Sequence, residues 1–226
     1  MLRRLLPMIV LVAATACGGN NGSPSAPSGP SPQPQPQANR NPVVNSAQVT
    51  PTFGIADLTV FNFAATGSDP DGDALTYSWS VGNGTFPGGN VQLLFGGPGG
   101  NVRATVTASD GKGGTASGSV DFIVGSMAGT WTLVGGPEVL LGTVFTLNQN
   151  GAGIVTGTFT IPGVGAGNTD PAEPGRITAA GELTMRVKVG IFTDFNMTGT
   201  MDTTGRMITG SLRGSGFTGQ PFVMVK

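Results

Sequence analysis

The fold is decided by the stretch Leu75-Thr76-Tyr77-Ser78-Trp79-Ser80-Val81, in which apolar residues alternate with threonine and serine. Successive side chains of a β-strand point to opposite faces of the sheet, so the apolar residues share one face and the hydroxyls the other. A sheet with one apolar face buries that face against a second layer. The stretch therefore predicts a strand of a β-sandwich, with Trp79 as a core aromatic residue.

The same alternation recurs on both sides of this strand, at residues 60–65, 102–108 and 120–124. Clusters of Gly, Asp and Asn separate the runs, as expected of turns between short strands. The composition agrees, because 39 of the 226 residues are glycine and only 10% are charged. No segment after Cys17 keeps the apolar spacing of an amphipathic helix for three turns. These features predict an all-β chain.

Three motifs in this region resemble a known family. They are Ser68-Asp69-Pro70-Asp71-Gly72-Asp73, the central strand continued to Gly84, and Val106-Thr107-Ala108-Ser109-Asp110 with a Gly-Gly pair behind it. In this order and spacing they resemble a PKD domain, with Val81 and Asn83 where that family carries Phe and Asp. The resemblance implies an immunoglobulin-like sandwich over residues 41–125. Domains of that family usually act as spacers or as modules that bind proteins or polysaccharides outside the cell, and they are rarely enzymes. The resemblance implies the same roles for this region.

The resemblance also implies a calcium site, because some members of that family hold Ca²⁺ at matching positions. In this sequence those positions are Asn41, Asp69, Asp71 and Asp110. Calcium takes several oxygen ligands, and three carboxylates would supply the charge. The alternative is turn chemistry, in which the aspartates accept hydrogen bonds from nearby backbone amides. The residues leave both interpretations open and favour turn chemistry slightly.

Residues 127–226 carry longer alternating runs, which can be assigned to eight strands in hairpin order. Strands with one apolar face that follow each other in hairpins predict a small antiparallel up-and-down β-barrel, which has no free edge. Gly129-Thr130-Trp131 resembles the G-x-W motif of lipocalins, and the rhythm also resembles avidin-like barrels. Both families bind small ligands inside the barrel. The stretch Pro162–Gly175 is predicted to be a long loop at one rim.

Six large apolar residues at inward positions are the candidates for ligand contact in the barrel. By the resemblance they line an adaptable cup for a small apolar ligand. Alternatively they fill the interior, since an eight-stranded barrel is about wide enough to be filled by side chains. The short strands and many glycines favour the filled barrel. The six are Trp131, Phe145, Phe159, Met185, Met197 and Met201.

Residues 1–16 combine two arginines, a short apolar run and small residues, which is typical of a secretory signal peptide. Ala14-Thr15-Ala16-Cys17 resembles the lipobox of bacterial lipoproteins, which implies acyl chains on Cys17 and a stable membrane anchor. Ordinary cleavage after Ala16 is the alternative, but it leaves an unpaired thiol in an oxidising compartment. In the lipoprotein family, Gly18 after the cysteine implies the outer membrane. Residues 17–40 are Pro-, Gly- and Ser-rich and predict a disordered tether.

Several classes of function are excluded or disfavoured. The chain has no histidine, which excludes Ser-His-Asp and Cys-His nucleophile systems and His-ligated zinc. Beyond residue 16, nine basic residues face twelve acidic ones, which argues against nucleic acid as a partner. Two carboxylate pairs remain, Asp170 with Glu173 and Glu182 with Asp194, but neither completes a set of acid, base and stabilising groups. The chain is therefore predicted not to be an enzyme.

The sequence as a whole predicts a bacterial cell-envelope lipoprotein, anchored by lipid and lying outside the cytoplasm. Its predicted function is non-catalytic binding or adhesion, with an envelope protein or a polysaccharide as the partner. One alternative is a carrier that holds a small apolar ligand inside the barrel. Another is a purely structural component of the envelope. Apart from Ca²⁺ in the metal-site interpretation, no cofactor is predicted.

Overall fold

The structure is a computed structural model that describes residues 37–190 and 194–226. Within it, Ala38–Lys226 form one compact unit. The predicted signal peptide, the lipidation site Cys17 and the tether up to residue 36 lie outside the described residues. Among the residues that are described, no helix is long and apolar enough to cross a membrane.

The first part of this unit is a β-sandwich of two sheets. Its strands are β1 (Val43–Thr50), β2 (Phe53–Ile55), β3 (Val60–Ser68), β4 (Thr76–Val81), β5 (Gly84–Pro87), β6 (Asn90–Leu94), β7 (Gly100–Ser109) and β8 (Thr115–Gly125). One sheet has the order β1-β3-β6 and the other the order β2-β8-β7-β4-β5. Neighbouring strands are antiparallel except β2 and β8, which run parallel.

The alternating residues form the core of the sandwich, as the sequence predicts. Trp79 of β4 is fully buried and lies 5.3 Å, between ring centroids, from Phe63 of β3. Phe61, on the same face of β3, packs on Phe122 of β8 with a centroid distance of 4.8 Å. Aromatic rings from both sheets thus meet between the layers, and their burial stabilises the sandwich.

The second part is a closed antiparallel barrel. Its strands are β9 (Gly129–Gly135), β10 (Val144–Gln149), β11 (Ile154–Ile161), β12 (Gly165–Thr169), β13 (Gly175–Ile177), β14 (Glu182–Lys188), β15 (Phe195–Met201), β16 (Met207–Gly214) and β17 (Phe217–Val225). The one helix among the described residues, a 3₁₀ helix at Glu138–Leu140, lies between β9 and β10. The barrel closes because β10 pairs with both β9 and β11. The predicted all-β class, an immunoglobulin-like sandwich followed by a small up-and-down barrel, is confirmed.

The stretch Pro162–Gly175 differs from the predicted long loop, because it contains strand β12. Both β12 and β13 lie between β11 and β14, with β12 pairing one half of these strands and β13 the other. The two short strands therefore share the eighth position of the barrel.

A pair of glycines lets the barrel wall pack closely on its core. Gly199 of β15 and Gly210 of β16 are register partners. A Cβ atom on Gly210 would lie 2.8 Å from the ring of Phe222, and one on Gly199 would lie 3.1 Å from the same ring. Only residues without a Cβ leave room for this buried ring against the backbone.

The two ends of the barrel differ. At the sandwich-facing end, Ile55 of β2 is fully buried within the hydrophobic cluster of the barrel. Phe53 and Leu58 pack against the same cluster from the sandwich side. The opposite end, called the distal end here, is formed by the 3₁₀ helix, the β11–β12 turn and the β16–β17 turn.

Candidate functional site

The predicted acidic turn follows β3 and gathers three carboxylates. One oxygen atom from each of Asp69, Asp71 and Asp73 lies within 4.8 Å of the others. Asp69 Oδ1 accepts hydrogen bonds from the amides of Asp71 and Asp73, at 2.8 and 3.2 Å. Gly72 has a φ of +79°, which glycine adopts without strain. The turn is therefore stabilised by hydrogen bonds from backbone amides to an aspartate side chain, as its sequence predicts.

Two cations already lie against these carboxylates. The Arg40 side chain bonds Asp71 Oδ1, at 2.9 Å from Nε, and the Arg40 amide bonds Asp71 Oδ2 at 2.7 Å. This pairing with Arg40 lowers the pKa of Asp71. Lys112 Nζ donates to Asp73 Oδ1 at 2.6 Å, and that bond raises the pKa of Lys112. The charge of the turn is thus partly balanced by the protein itself.

Asp110 is not among the carboxylates whose oxygens lie within 4.8 Å of one another at the turn. It is only 6% exposed, and its oxygens accept bonds from Asn39 Nδ2 at 2.7 Å and from the amides of Lys112 and Gly114 at 2.7 and 2.9 Å. The bond from Asn39, followed by the amide bonds, lowers the pKa of Asp110. The predicted ligand Asn41 is exposed, and Asn39 is the asparagine that reaches Asp110.

Two carboxylate oxygens of the turn nevertheless suit a hard cation. Asp69 Oδ2 and Asp73 Oδ2 are buried and have no hydrogen-bond partner among the described residues. Buried polar atoms normally have a partner, so two such oxygens are available to an ion. Asp69, Asp71 and Asp73 are then the residues that would hold it. Lys112 would compete for Asp73.

The six residues predicted to contact a ligand lie together in the core of the barrel. Each is 3% exposed or less, and all belong to one hydrophobic cluster. Phe145 and Phe159, for example, are register partners with ring centroids 5.7 Å apart. A ligand at this place would have to displace packed side chains, which is costly in a close-packed interior. The six are Trp131, Phe145, Phe159, Met185, Met197 and Met201.

A shallow, open groove on the outer wall of the barrel was not predicted from the sequence. It runs over β14, β15 and β16, and it joins two neighbouring depressions that share Thr184 and Thr198. Register pairing places Thr184, Thr198 and Ser211 in one row and Glu182, Thr200 and Thr209 in the next. Thr198 Oγ1 and Ser211 Oγ lie 3.3 Å apart. We call these six residues the hydroxyl groove.

A charged cluster lies beside the hydroxyl groove and includes three of the predicted carboxylates. Arg186 contacts Glu173 at 2.7 Å, Asp194 at 3.0 Å and the buried Asp170 at 3.7 Å. Lys188 Nζ lies 3.2 Å from the second oxygen of Asp170. The amide of Ala172 and then Lys188 lower the pKa of Asp170, whereas a general acid needs a raised pKa. Glu182 lies apart from this cluster, in the hydroxyl groove.

Comparison with known proteins supports an immunoglobulin-like domain in the first part of the chain. Residues 39–123 match the family model described as a bacterial Ig domain. The PKD1 domain of Vibrio anguillarum Epp is similar in structure, with 20% identity, a TM-score of 0.32, and coverage of 38% of this chain and 96% of that domain. A structure from the carbohydrate-binding modules of the β-sandwich superfamily is also similar, with 12% identity, a TM-score of 0.37, and coverage of 84% of this chain and 92% of the other. Among curated proteins, no match was found.

Proposed function

We propose that this chain is a non-catalytic binding module outside the cytoplasm, and that its hydroxyl groove binds polysaccharide. The match of residues 39–123 to a bacterial Ig domain supports the extracytoplasmic location. The hydroxyl groove is the observation that favours polysaccharide as the ligand. Its rows of Thr and Ser side chains repeat at about 4.8 Å across strands and about 6.8 Å along them.

The chemistry of the hydroxyl groove favours sugars over protein or nucleic acid. Each hydroxyl both donates and accepts a hydrogen bond, which matches the hydroxyl groups of a sugar. Protein interfaces are enriched in exposed aromatic residues and Met at their centre, and the exposed large apolar side chains of the described residues all lie outside this groove. Of the charged residues that line the two depressions, Glu182 and Glu173 are acidic and Arg186 is basic, and this net negative charge disfavours a phosphate backbone.

Affinity gel electrophoresis against a panel of soluble polysaccharides tests this function. We expect at least one polysaccharide to retard the full-length protein. The double variant Thr184→Val with Thr198→Val removes two hydroxyls without changing side-chain shape, and we expect it to weaken binding roughly tenfold, at about 0.5–1.5 kcal/mol per hydrogen bond.

Thr107→Val is the matched control, because Thr107 and Ser117 form a hydroxyl pair of the same 3.3 Å separation on the sandwich. We expect the control to bind like the unmodified protein. Retardation by no polysaccharide, or an equal loss in the double variant and the control, would refute polysaccharide binding at the hydroxyl groove.

We also propose that Cys17, outside the described residues, anchors the protein to the outer membrane by lipid. The lipobox resemblance and the proline-rich stretch behind it support this anchor, and two or more acyl chains hold a protein stably. Cys17→Ser should move the protein from the membrane fraction to the soluble fraction. A variant that stays with the membranes would rule out the anchor.

A further inference from the structure

The distal end of the barrel carries an apolar pocket of about 210 Å³. It is separate from the hydroxyl groove and from the six core residues discussed above. The 3₁₀ helix, the β11–β12 turn, the start of β15 and the β16–β17 turn each contribute to it. Its walls include Val139, Leu140, Ile161, Val164, Phe195 and Phe217.

The floor of the pocket is preformed by packed side chains. Leu140, Ile161 and Phe195 are 5%, 3% and 3% exposed and belong to the cluster that fills the barrel. The ring of Phe195 meets that of Phe217 edge to face, with centroids 5.5 Å apart. A ligand here would contact a fixed surface and would pay little ordering entropy.

The mouth of the pocket is apolar as well. Val139 is 57% exposed, Val164 is 41% exposed, and the neighbouring Leu141 is 41% exposed. Among the lining residues that the structure describes, none is charged and Ser215 is the polar one. Exposed apolar residues around a concave apolar surface are typical of a binding site.

We propose that this pocket binds the end of a single hydrocarbon chain. A cavity of 150 Å³ lined by Leu, Ile and Phe holds benzene, so the volume here suits one ring or a short run of methylene groups. It lies below the roughly 300–1,000 Å³ of sites for larger ligands, so the rest of an amphiphile would stay outside. The uncharged lining means that the chain, and not a head group, is recognised.

Isothermal titration calorimetry of the full-length protein with straight-chain alcohols, from butanol to decanol, tests the pocket. We expect one saturable site, with affinity rising about fourfold per added methylene until the chain fills the pocket, and then levelling off. A plateau in affinity with chain length indicates a pocket of limited size, whereas nonspecific partition onto an apolar surface would give an affinity that keeps rising. This test is independent of polysaccharide binding, because the hydroxyl groove lies elsewhere on the barrel.

Val164→Asp places a carboxylate at the mouth and should weaken binding of the longest alcohols at least tenfold, since chain burial would then desolvate a charge. Val134→Asp is the matched control, because Val134 is 53% exposed on the same barrel and lies outside the pocket lining. Val139→Asp repeats the test if Val164→Asp fails to fold. All these proteins are identical outside the substituted position, so differences between them report on the pocket.

Three calorimetric results would overturn the proposal: no saturable binding, an affinity that keeps rising with chain length, or equal losses in Val164→Asp and Val134→Asp. Flotation with neutral phosphatidylcholine vesicles tests whether the distal end binds a membrane surface instead. Flotation that depends on Val164 without any binding of free alcohols would assign this end to a membrane surface, and would also overturn the proposal.

Discussion

At the scale of single residues, Asp110 is a carboxylate of the sandwich held by three hydrogen bonds. Asn39 and two backbone amides bond it, and they lower its pKa from the ordinary value near 3.9. A group whose pKa is lower in the folded state stabilises the fold above its unfolded pKa, and this stabilisation is lost as the pH falls through the folded pKa. Asp110 therefore contributes stability at neutral pH and loses it in acid.

Asn39→Ala removes the largest cause of the lowered pKa of Asp110. We expect the variant to unfold at a lower urea concentration at pH 7, with the difference from the unmodified protein shrinking as the pH falls below about 4. Urea unfolding followed by tryptophan fluorescence measures this. Asn41→Ala is the control, since Asn41 is exposed. If Asn41→Ala shows the same loss and the same pH dependence, Asn39 has no special role.

The two buried oxygens of the acidic turn, Asp69 Oδ2 and Asp73 Oδ2, lead to a prediction about calcium. If Ca²⁺ binds them, the folded state alone gains the ligand, and the temperature of thermal unfolding rises with calcium concentration. Asp69→Asn should abolish the rise. Asp121→Asn should not, because Asp121 is exposed and pairs with Arg103 elsewhere on the sandwich. Equal unfolding temperatures in calcium and in chelator would rule out the calcium site, and the aspartates would then serve only to stabilise the turn.

At the scale of strands, alternation in sequence predicted the elements that bury one face. β4, β7 and β8 carry a clear two-residue period, and each lies where it was expected. β12 was missed because Gly165-Ala166-Gly167-Asn168-Thr169 has no apolar period. Its hydrogen bonds come from β11 and β14, and Gly167 is required because a Cβ there would lie 2.4 Å from the ring of Phe159. A strand that forms mainly through pairing with its neighbours cannot be predicted from its own residues.

The same reason explains why the candidate sites could be predicted only in part. The acidic turn is local, so its three aspartates could be found from a six-residue motif. The hydroxyl groove needs Thr184, Thr198 and Ser211 in one row, and that row depends on the register of three strands. The distal pocket draws its lining from several connections far apart in sequence. Neither arrangement has a signal within any one stretch of the chain.

At the scale of the whole molecule, the sandwich closes one end of the barrel. Gln149 of β10 donates to Ala56 O at 2.8 Å and accepts from the Met127 amide at 2.9 Å. Lys226 Nζ donates to Pro98 O and Ser126 O, at 2.8 and 2.9 Å, and lies 5.6 Å from the Trp131 ring centroid. Burial lowers the pKa of Lys226. Hydrogen bonds and apolar contacts thus join the two sets of strands.

The position of Ile55 makes a prediction about cooperativity. Ile55 belongs to a strand of the sandwich, but its side chain is fully buried in the barrel cluster, which also contains the buried Met127. Ile55→Ala would leave a cavity between the two parts and cost about 2–5 kcal/mol. Because each part buries surface of the other, we expect both to lose stability together rather than one alone.

Two tryptophans allow each part to be followed separately, since Trp79 lies in the sandwich core and Trp131 in the barrel core. Trp131→Phe leaves the sandwich reporter and Trp79→Phe the barrel reporter. In each background, Ile55→Ala should lower the urea midpoint by a similar amount, whereas Val60→Ala, at a site 48% exposed, should leave both midpoints in place. If only one reporter moved, the sandwich and the barrel would be independent folding units and Ile55 would be a local contact. A shift of both makes the sandwich a structural requirement of the barrel, because the cluster it covers would otherwise face water.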